Sequence, residues 1–230
     1  MPISRSGGGY GPPATAAAAG SYSTSFPLTE NPIVEDGGWV GGLTVGLDWQ
    51  DMKTVSGIAH ATAFNDVSQD DSIALRTGIN STRHYAQGTI YVAASYAPSN
   101  GHEMELYVGG TITANSITGY EILFSLSGAF QIVRWLGARS NGVTPLTVTD
   151  VNGGAAQPTD GMLCRAEYSV SGSNVLINVY QNSVQVATCT DINPGSAYLS
   201  GQPGIASFVR SGGGASLTSM GWADFACGTF

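Results

Sequence analysis

The stretch 161–192 constrains the fold more than any other part of the chain. It forms three short alternating runs joined by two tight turns, at Ser171-Gly172-Ser173 and at Asn182-Ser183. Gly, Asn and Ser suit such turns because they tolerate positive φ or hydrogen-bond their own backbone. Pairing about the first turn predicts Val170 opposite Val175, Tyr168 opposite Ile177 and Ala166 opposite Val179. Continuing through the second turn brings Val186 opposite Val179. Strand neighbours point to alternate sides, so these apolar residues share one face. The other face carries Arg165 opposite Tyr180, Glu167 opposite Asn178, and Gln185 beside Tyr180. A slip of one residue would exchange the two sets, so the pattern specifies its own register. One apolar face and one polar face describe an antiparallel sheet packed on one side.

The same alternation recurs upstream and downstream. Strands are expected over 43–49, 54–59, 72–77, 87–97, 103–108, 120–126, 130–136, 205–209 and 217–225, with Asp48 and Asp51 near the first turn. In 103–108, Met104, Leu106 and Val108 point inward and Glu103, Glu105 and Tyr107 outward. A hairpin turns at Ser127-Gly128-Ala129, and Pro203-Gly204 makes a corner before the closing strands. No segment longer than about 10 residues repeats apolar residues at helical spacing. With 32 glycines among 230 residues, the chain is an all-β fold rich in turns, of a length that suits one sandwich domain.

Residues 1–24 stand apart. The run Ser6-Gly-Gly-Gly-Tyr-Gly-Pro-Pro-Ala-Thr-Ala-Ala-Ala-Ala-Gly20 cannot bury enough apolar surface to order itself. It is expected to act as an extended arm packing on other protein chains of an oligomeric assembly, with the sandwich occupying 25–230. The start, Met1-Pro-Ile-Ser-Arg, lacks an apolar signal core, so a cytoplasmic or virion location is expected.

Charge removes further classes. The net charge is −8 with a single lysine, Lys53, so the basic footprint that nucleic acid requires is missing. Nor does any run approach the ~20 apolar residues of a membrane helix. Neither a nucleic-acid nor a membrane partner is expected. Cys164, Cys189 and Cys227 have no metal-ligand spacing. The register sets Cys164 near Gln181 and Cys189 near Leu176, so these two should not bridge; all three read as free, half-buried thiols.

The run Arg165-Ala-Glu-Tyr-Ser-Val-Ser-Gly-Ser-Asn-Val-Leu-Ile-Asn-Val-Tyr180, with Gly201-Gln-Pro-Gly-Ile205, Met220-Gly-Trp-Ala-Asp-Phe225, Gly119-Tyr-Glu-Ile-Leu-Phe-Ser-Leu126 and Phe130-Gln-Ile-Val-Arg-Trp135, resembles the concanavalin A-like lectin/glucanase superfamily. The resemblance spans roughly residues 26–230 and implies a jelly-roll sandwich of two curved antiparallel sheets. It also implies a ligand face on the concave sheet. The wet residues above then become candidates: Glu103, Glu105, Tyr107, Arg165, Glu167, Asn178 and Tyr180, joined by Glu121 and Trp135, which oppose each other on the preceding hairpin. Aromatic platforms beside hydrogen-bonding groups suit sugar rings; the alternative is a solvated face of cross-strand polar pairs.

Catalysis has less support. The superfamily's glucanases resemble one another in Glu-x-Asp-x-(x)-Glu, whereas His102-Glu-Met-Glu-Leu-Tyr107 lacks the middle Asp and the third acid. The lyase-like branch has Arg-x-Glu, matched by Arg165-Ala166-Glu167, but also Gln-x-His, which is missing here. His60, His84 and His102 are scattered, with no Gly-x-Ser-x-Gly elbow. Asp66, Asp70 and Asp71 could offer oxygen to calcium, but Asp70-Asp71 before a strand reads as a solvated turn, so no metal and no cofactor are expected. The expected role is a non-catalytic structural or adhesion component of an assembly, most concretely a phage particle. The alternatives are a carbohydrate-binding module or a polysaccharide-cleaving enzyme.

Overall fold

The structure is a computed structural model that describes residues 20–64, 71–94, 102–137, 143–211 and 216–230. Seventeen strands carry the described fold: β1 (Ser21–Thr24), β2 (Trp39–Gly41), β3 (Gln50–Val55), β4 (Ile58–Ala61), β5 (Ser72–Arg76), β6 (Arg83–Val92), β7 (Glu103–Thr113), β8 (Ser116–Ser125) and β9 (Phe130–Gly137) come first. There follow β10 (Val143–Pro145), β11 (Thr149–Asp150), β12 (Leu163–Ser171), β13 (Asn174–Gln181), β14 (Val184–Asp191), β15 (Gln202–Phe208), β16 (Met220–Trp222) and β17 (Phe225–Gly228). Among the described residues there is no α-helix, and no helix is long and apolar enough to cross a membrane.

The strands make two layers. The first sheet runs β11-β14-β13-β12-β6-β17-β1, and β16, β4 and β3 continue it from the end of β6. The second runs β10-β9-β8-β7-β15-β5-β2. Between them lies the main core. Ala86, Ile90, Ala166, Tyr168, Ile177 and Val179 enter it from the first sheet; Met104, Leu106, Val108, Tyr120, Ile122 and Ile205 enter it from the second.

The meander has the register its sequence dictates, with Val170 opposite Val175, Tyr168 opposite Ile177 and Ala166 opposite Val179. Its second turn uses positive φ at both central residues, Asn182 (48°) and Ser183 (68°), as a two-residue hairpin requires. Past that turn the expected pairing fails. A bulge between Val179 and Tyr180 puts Ala187, not Val186, opposite Val179, and both alanine and valine are buried. Cys189 accordingly lies opposite Ile177 rather than near Leu176. All three cysteines are free and buried, not half-buried.

Three further expectations change. The sandwich begins at Ser21 rather than residue 25, because β1 pairs with β17. Tyr22 fastens that strand: its hydroxyl donates to Glu35, accepts from Trp39 Nε1 at 3.2 Å, and its ring lies under the Arg76 guanidinium at 3.5 Å. The rest of the arm, 1–19, lies outside the described residues, as do Asp66 and Asp70. Segment 43–49 is a short 3-10 turn and loop rather than a strand, whereas 54–59 holds the end of β3 and the start of β4 about a turn at Ser56-Gly57. The strand expected over 87–97 starts earlier, at Arg83, and ends at Val92.

Candidate functional site

The candidate residues fall on two opposite surfaces. Met104, Leu106 and Val108 of β7 and Ala166, Tyr168 and Val179 of β12 and β13 all face the central core. Period-two alternation then sends Glu103, Glu105 and Tyr107 out through the far side of the second sheet, and Arg165, Glu167, Asn178 and Tyr180 out through the far side of the first. The single groove expected from the sequence therefore does not form.

The second sheet's outer face is covered, so the expectation of a wet strand is corrected. Glu105 and Tyr107 are 0% exposed, Glu121 3% and Trp135 2%. The cover is the loop of 43–49, whose Leu47 and Trp49 form a second apolar core with Tyr107, Trp135, Ile73 and Leu75. Trp49 meets Trp135 edge-on at 4.5 Å and Tyr107 at 6.2 Å. Gly204 sits between Tyr107 and Leu75 in the cross-strand row. A Cβ there would stand 2.5 Å from the Ala74 carbonyl, so the glycine is what lets these strands close.

Beneath that cover lie acids. Glu121 is a diagonal neighbour of Trp135 rather than its direct opposite, since Trp135 pairs with Gly119. Trp135 Nε1 donates to Glu121 Oε2 at 2.7 Å and the Tyr107 hydroxyl donates to the same oxygen at 3.0 Å. Asp71, expected in a solvated turn, is 4% exposed. It joins Glu105 and Glu121 in a group in which one carboxylate oxygen of each lies within 4.8 Å of the others. Burial raises the Glu105 carboxyl well above its usual range, and the charges of Asp71, Glu121 and Glu103 push it further. Burial lifts Glu103 to about 8, helped by the charge of Glu121 and opposed by Arg210. Burial lifts Glu121 to about 7 against its two hydrogen bonds. Glu105, wholly buried, presents no surface to a sugar chain, and the three acids are close enough to share an ion.

The first sheet's outer face is open. Register places one row across it: Ser23, Ala226, Gln87, Arg165, Tyr180 and Gln185 are successive neighbours. A second row runs Tyr85, Glu167, Asn178 and Thr188. The two are laced together. Arg165 stacks on the Tyr85 ring at 3.7 Å, donates to Glu167 at 2.9 Å and reaches Gln87 at 3.3 Å. The Tyr180 hydroxyl donates to the other Glu167 oxygen at 3.2 Å, and the Tyr180 pKa is raised by burial and by Glu167. Gln185 and Thr188 both donate to Asn178. Two shallow hollows flank Gln87. One of about 320 Å³ is lined by Leu163, Arg165, Glu167, Tyr180 and Ser183; one of about 580 Å³ by Ser23, Thr24, Asp224 and Phe225.

Sequence reasoning missed Tyr85, Gln87 and Asp224 on this face and Trp49 on the other, and it set Asp71, weighed as an oxygen ligand, in a solvated turn. Gln87 and Tyr85 stand directly opposite Arg165 and Glu167, but on a strand nearly 80 residues away, and no local pattern gives that pairing. The histidines at 60 and 84 hold backbone. His60 Nδ1 meets the Met220 carbonyl at 2.7 Å, while His84 takes the Gly109 amide on Nε2 at 3.0 Å and is held neutral by burial, its pKa lowered to about 4.

No protein-family profile matches this chain, and no curated protein does. Solved structures match over nearly its whole length. Peanut lectin is 12% identical over 93% of this chain and 98% of its own, with a TM-score of 0.50. The CBM2 module of the evolved Dit of Lactobacillus casei BL23 phage J-1 is 13% identical over 92% and 96%, at 0.52. The endo-1,3-β-glucanase of Streptomyces sioyaensis is 10% identical over 94% and 99%, at 0.51. The chain has the concanavalin A-like jelly-roll fold that its sequence resembles.

Proposed function

We propose that this protein is a carbohydrate-binding module that takes a glycan along the outer face of the first sheet. The observation that carries this reading is the aligned row of Gln87, Arg165 and Tyr180 beside Tyr85 and Glu167. Two phenol rings offer apolar faces to pyranose C–H groups. Carboxylate, amide and guanidinium groups, already fixed by one another, offer partners to hydroxyls without a large ordering cost on binding. The hollows on either side of Gln87 give the length of a short oligosaccharide rather than a monosaccharide pocket.

A finer reading places the module in a larger assembly, with residues 1–19 as its tether and adhesion to a glycan-coated surface as its task. The structural likeness to a module from a phage Dit supports that context, and the Gly/Ala-rich arm gives it a means of attachment.

A glycan array followed by titration calorimetry tests the binding. Binding that falls at least tenfold in Tyr180→Ala and Arg165→Ala supports it. Binding to no glycan at millimolar ligand, or binding indifferent to both substitutions, would sink it. Removing residues 1–19 tests the tether: the truncated protein should fold but fail to join its assembly.

A further inference from the structure

Under the second sheet's cover lies one carboxyl group, that of Glu105, whose two oxygens are buried without a hydrogen bond. Asp71, Glu105 and Glu121 come from three different strand regions and converge to within 4.8 Å. Parity explains the meeting: Asp71, Glu105 and Glu121 all point to the outer face. Ala206, opposite Glu105 on the intervening strand, is small enough to leave room. The decisive residue is Glu105. It is wholly buried, and neither of its carboxylate oxygens has a hydrogen-bond partner. Buried polar oxygens almost always have a partner, and buried charges are paired or bind metals. The guanidinium nearest in effect, Arg210, acts on Glu103 and is itself exposed.

We propose that Asp71, Glu105 and Glu121 form a calcium site. The donor set is all oxygen, which suits a hard cation and not zinc or copper, whose sites draw on nitrogen and sulfur. Calcium binds oxygens at about 2.3–2.6 Å, so ligands on one ion stand roughly 3–5 Å apart, the separation seen here. Three carboxylates supply up to six oxygens when bidentate, within calcium's flexible shell. Magnesium retains several waters, and the roof of Trp49, Tyr107 and Trp135 leaves little space for them. Glu121 is already aimed, because Tyr107 and Trp135 hold one of its oxygens and such outer contacts orient metal ligands. The site lies on the opposite surface from the glycan groove and stands independently of it.

The competing neutraliser is protons, and the experiment separates the two. Full-length protein is stripped with EDTA, exchanged into chelator-free buffer at pH 8, and melted with increasing calcium or magnesium chloride. Calcium at about 100-fold over half-saturation should raise the midpoint by roughly 5–10 °C, and magnesium by less. Terbium added to the stripped protein should emit on tryptophan excitation, since Trp49 and Trp135 frame the site, and calcium should quench that emission by displacement. Glu105→Gln keeps the side chain's size and removes its charge; it should fold, and lose both the calcium-dependent rise and the terbium signal. A wild-type midpoint unmoved by millimolar calcium, with no terbium emission, overturns the proposal. The terbium result needs no variant, so a poorly folding Glu105→Gln leaves the test intact.

Discussion

Arg165, Glu167 and Tyr180 on the first sheet and Glu105, Tyr107 and Glu121 on the second are similar residues on similar strands, with opposite fates. Both sets alternate with apolar core residues, and both look outward from the sandwich. The first set meets solvent and forms a laced polar surface. The second is sealed by a loop from far up the chain, which brings Leu47 and Trp49 onto it. What lies over a strand decides whether its polar face is a binding surface or a buried charge. The strand itself does not.

The widest gap should appear in stability. Trp135 packs in the second core and holds Glu121, so Trp135→Ala should lose about 3–5 kcal/mol in urea unfolding. Tyr180→Ala, on the open face, should lose less than about 1 kcal/mol. Comparable losses would mean that the two faces are not sealed and open as described.

The pH response sharpens the same contrast. Glu121 and Glu103 titrate near 7 and 8 in the folded state, above their ordinary 4.5. Between those values the folded protein keeps protons that the unfolded chain has released. Stability of cation-free protein should therefore fall as pH rises from about 4.5 to 8. The slope is up to roughly 1.4 kcal/mol per pH unit for each group. Denaturant midpoints measured from pH 5 to 9 check this, and a flat profile would contradict it. Calcium should flatten the fall, because it stabilises the ionised acids.

The meander of the first sheet was legible because its information is local, whereas its pairing with β6, which brings Tyr85 and Gln87 beside it, is not local and went unread. Each strand of the meander names its neighbour through a short turn, and only the bulge after Val179, which no turn residue announces, escaped. Glu103-Met104-Glu105-Leu106-Tyr107 has the same alternation, and its cover comes from 43–49, some 60 residues earlier. One signal was available: Ile73-Ala74-Leu75 is apolar on both faces, and all three residues are buried. A strand apolar on both faces sits in a sheet covered on both sides, which argues that Asp71, Glu105 and Tyr107 share a covered face.

The smallest stability effect belongs to Arg165→Ala. Its partners Glu167, Gln87 and Tyr85 are partly solvated, so the loss should stay near 0–1 kcal/mol. Thermal melting at matched pH checks it. A larger loss would make the Arg165 network a structural clasp rather than a preformed binding surface.

The comparison of the two faces is tested most directly by titrating one bound oligosaccharide into Tyr180→Ala and Glu105→Gln side by side. The account predicts that Tyr180→Ala weakens binding at least tenfold with its melting point nearly unchanged, while Glu105→Gln binds like wild type. Binding lost in Glu105→Gln and kept in Tyr180→Ala would place the glycan on the second sheet and contradict the account.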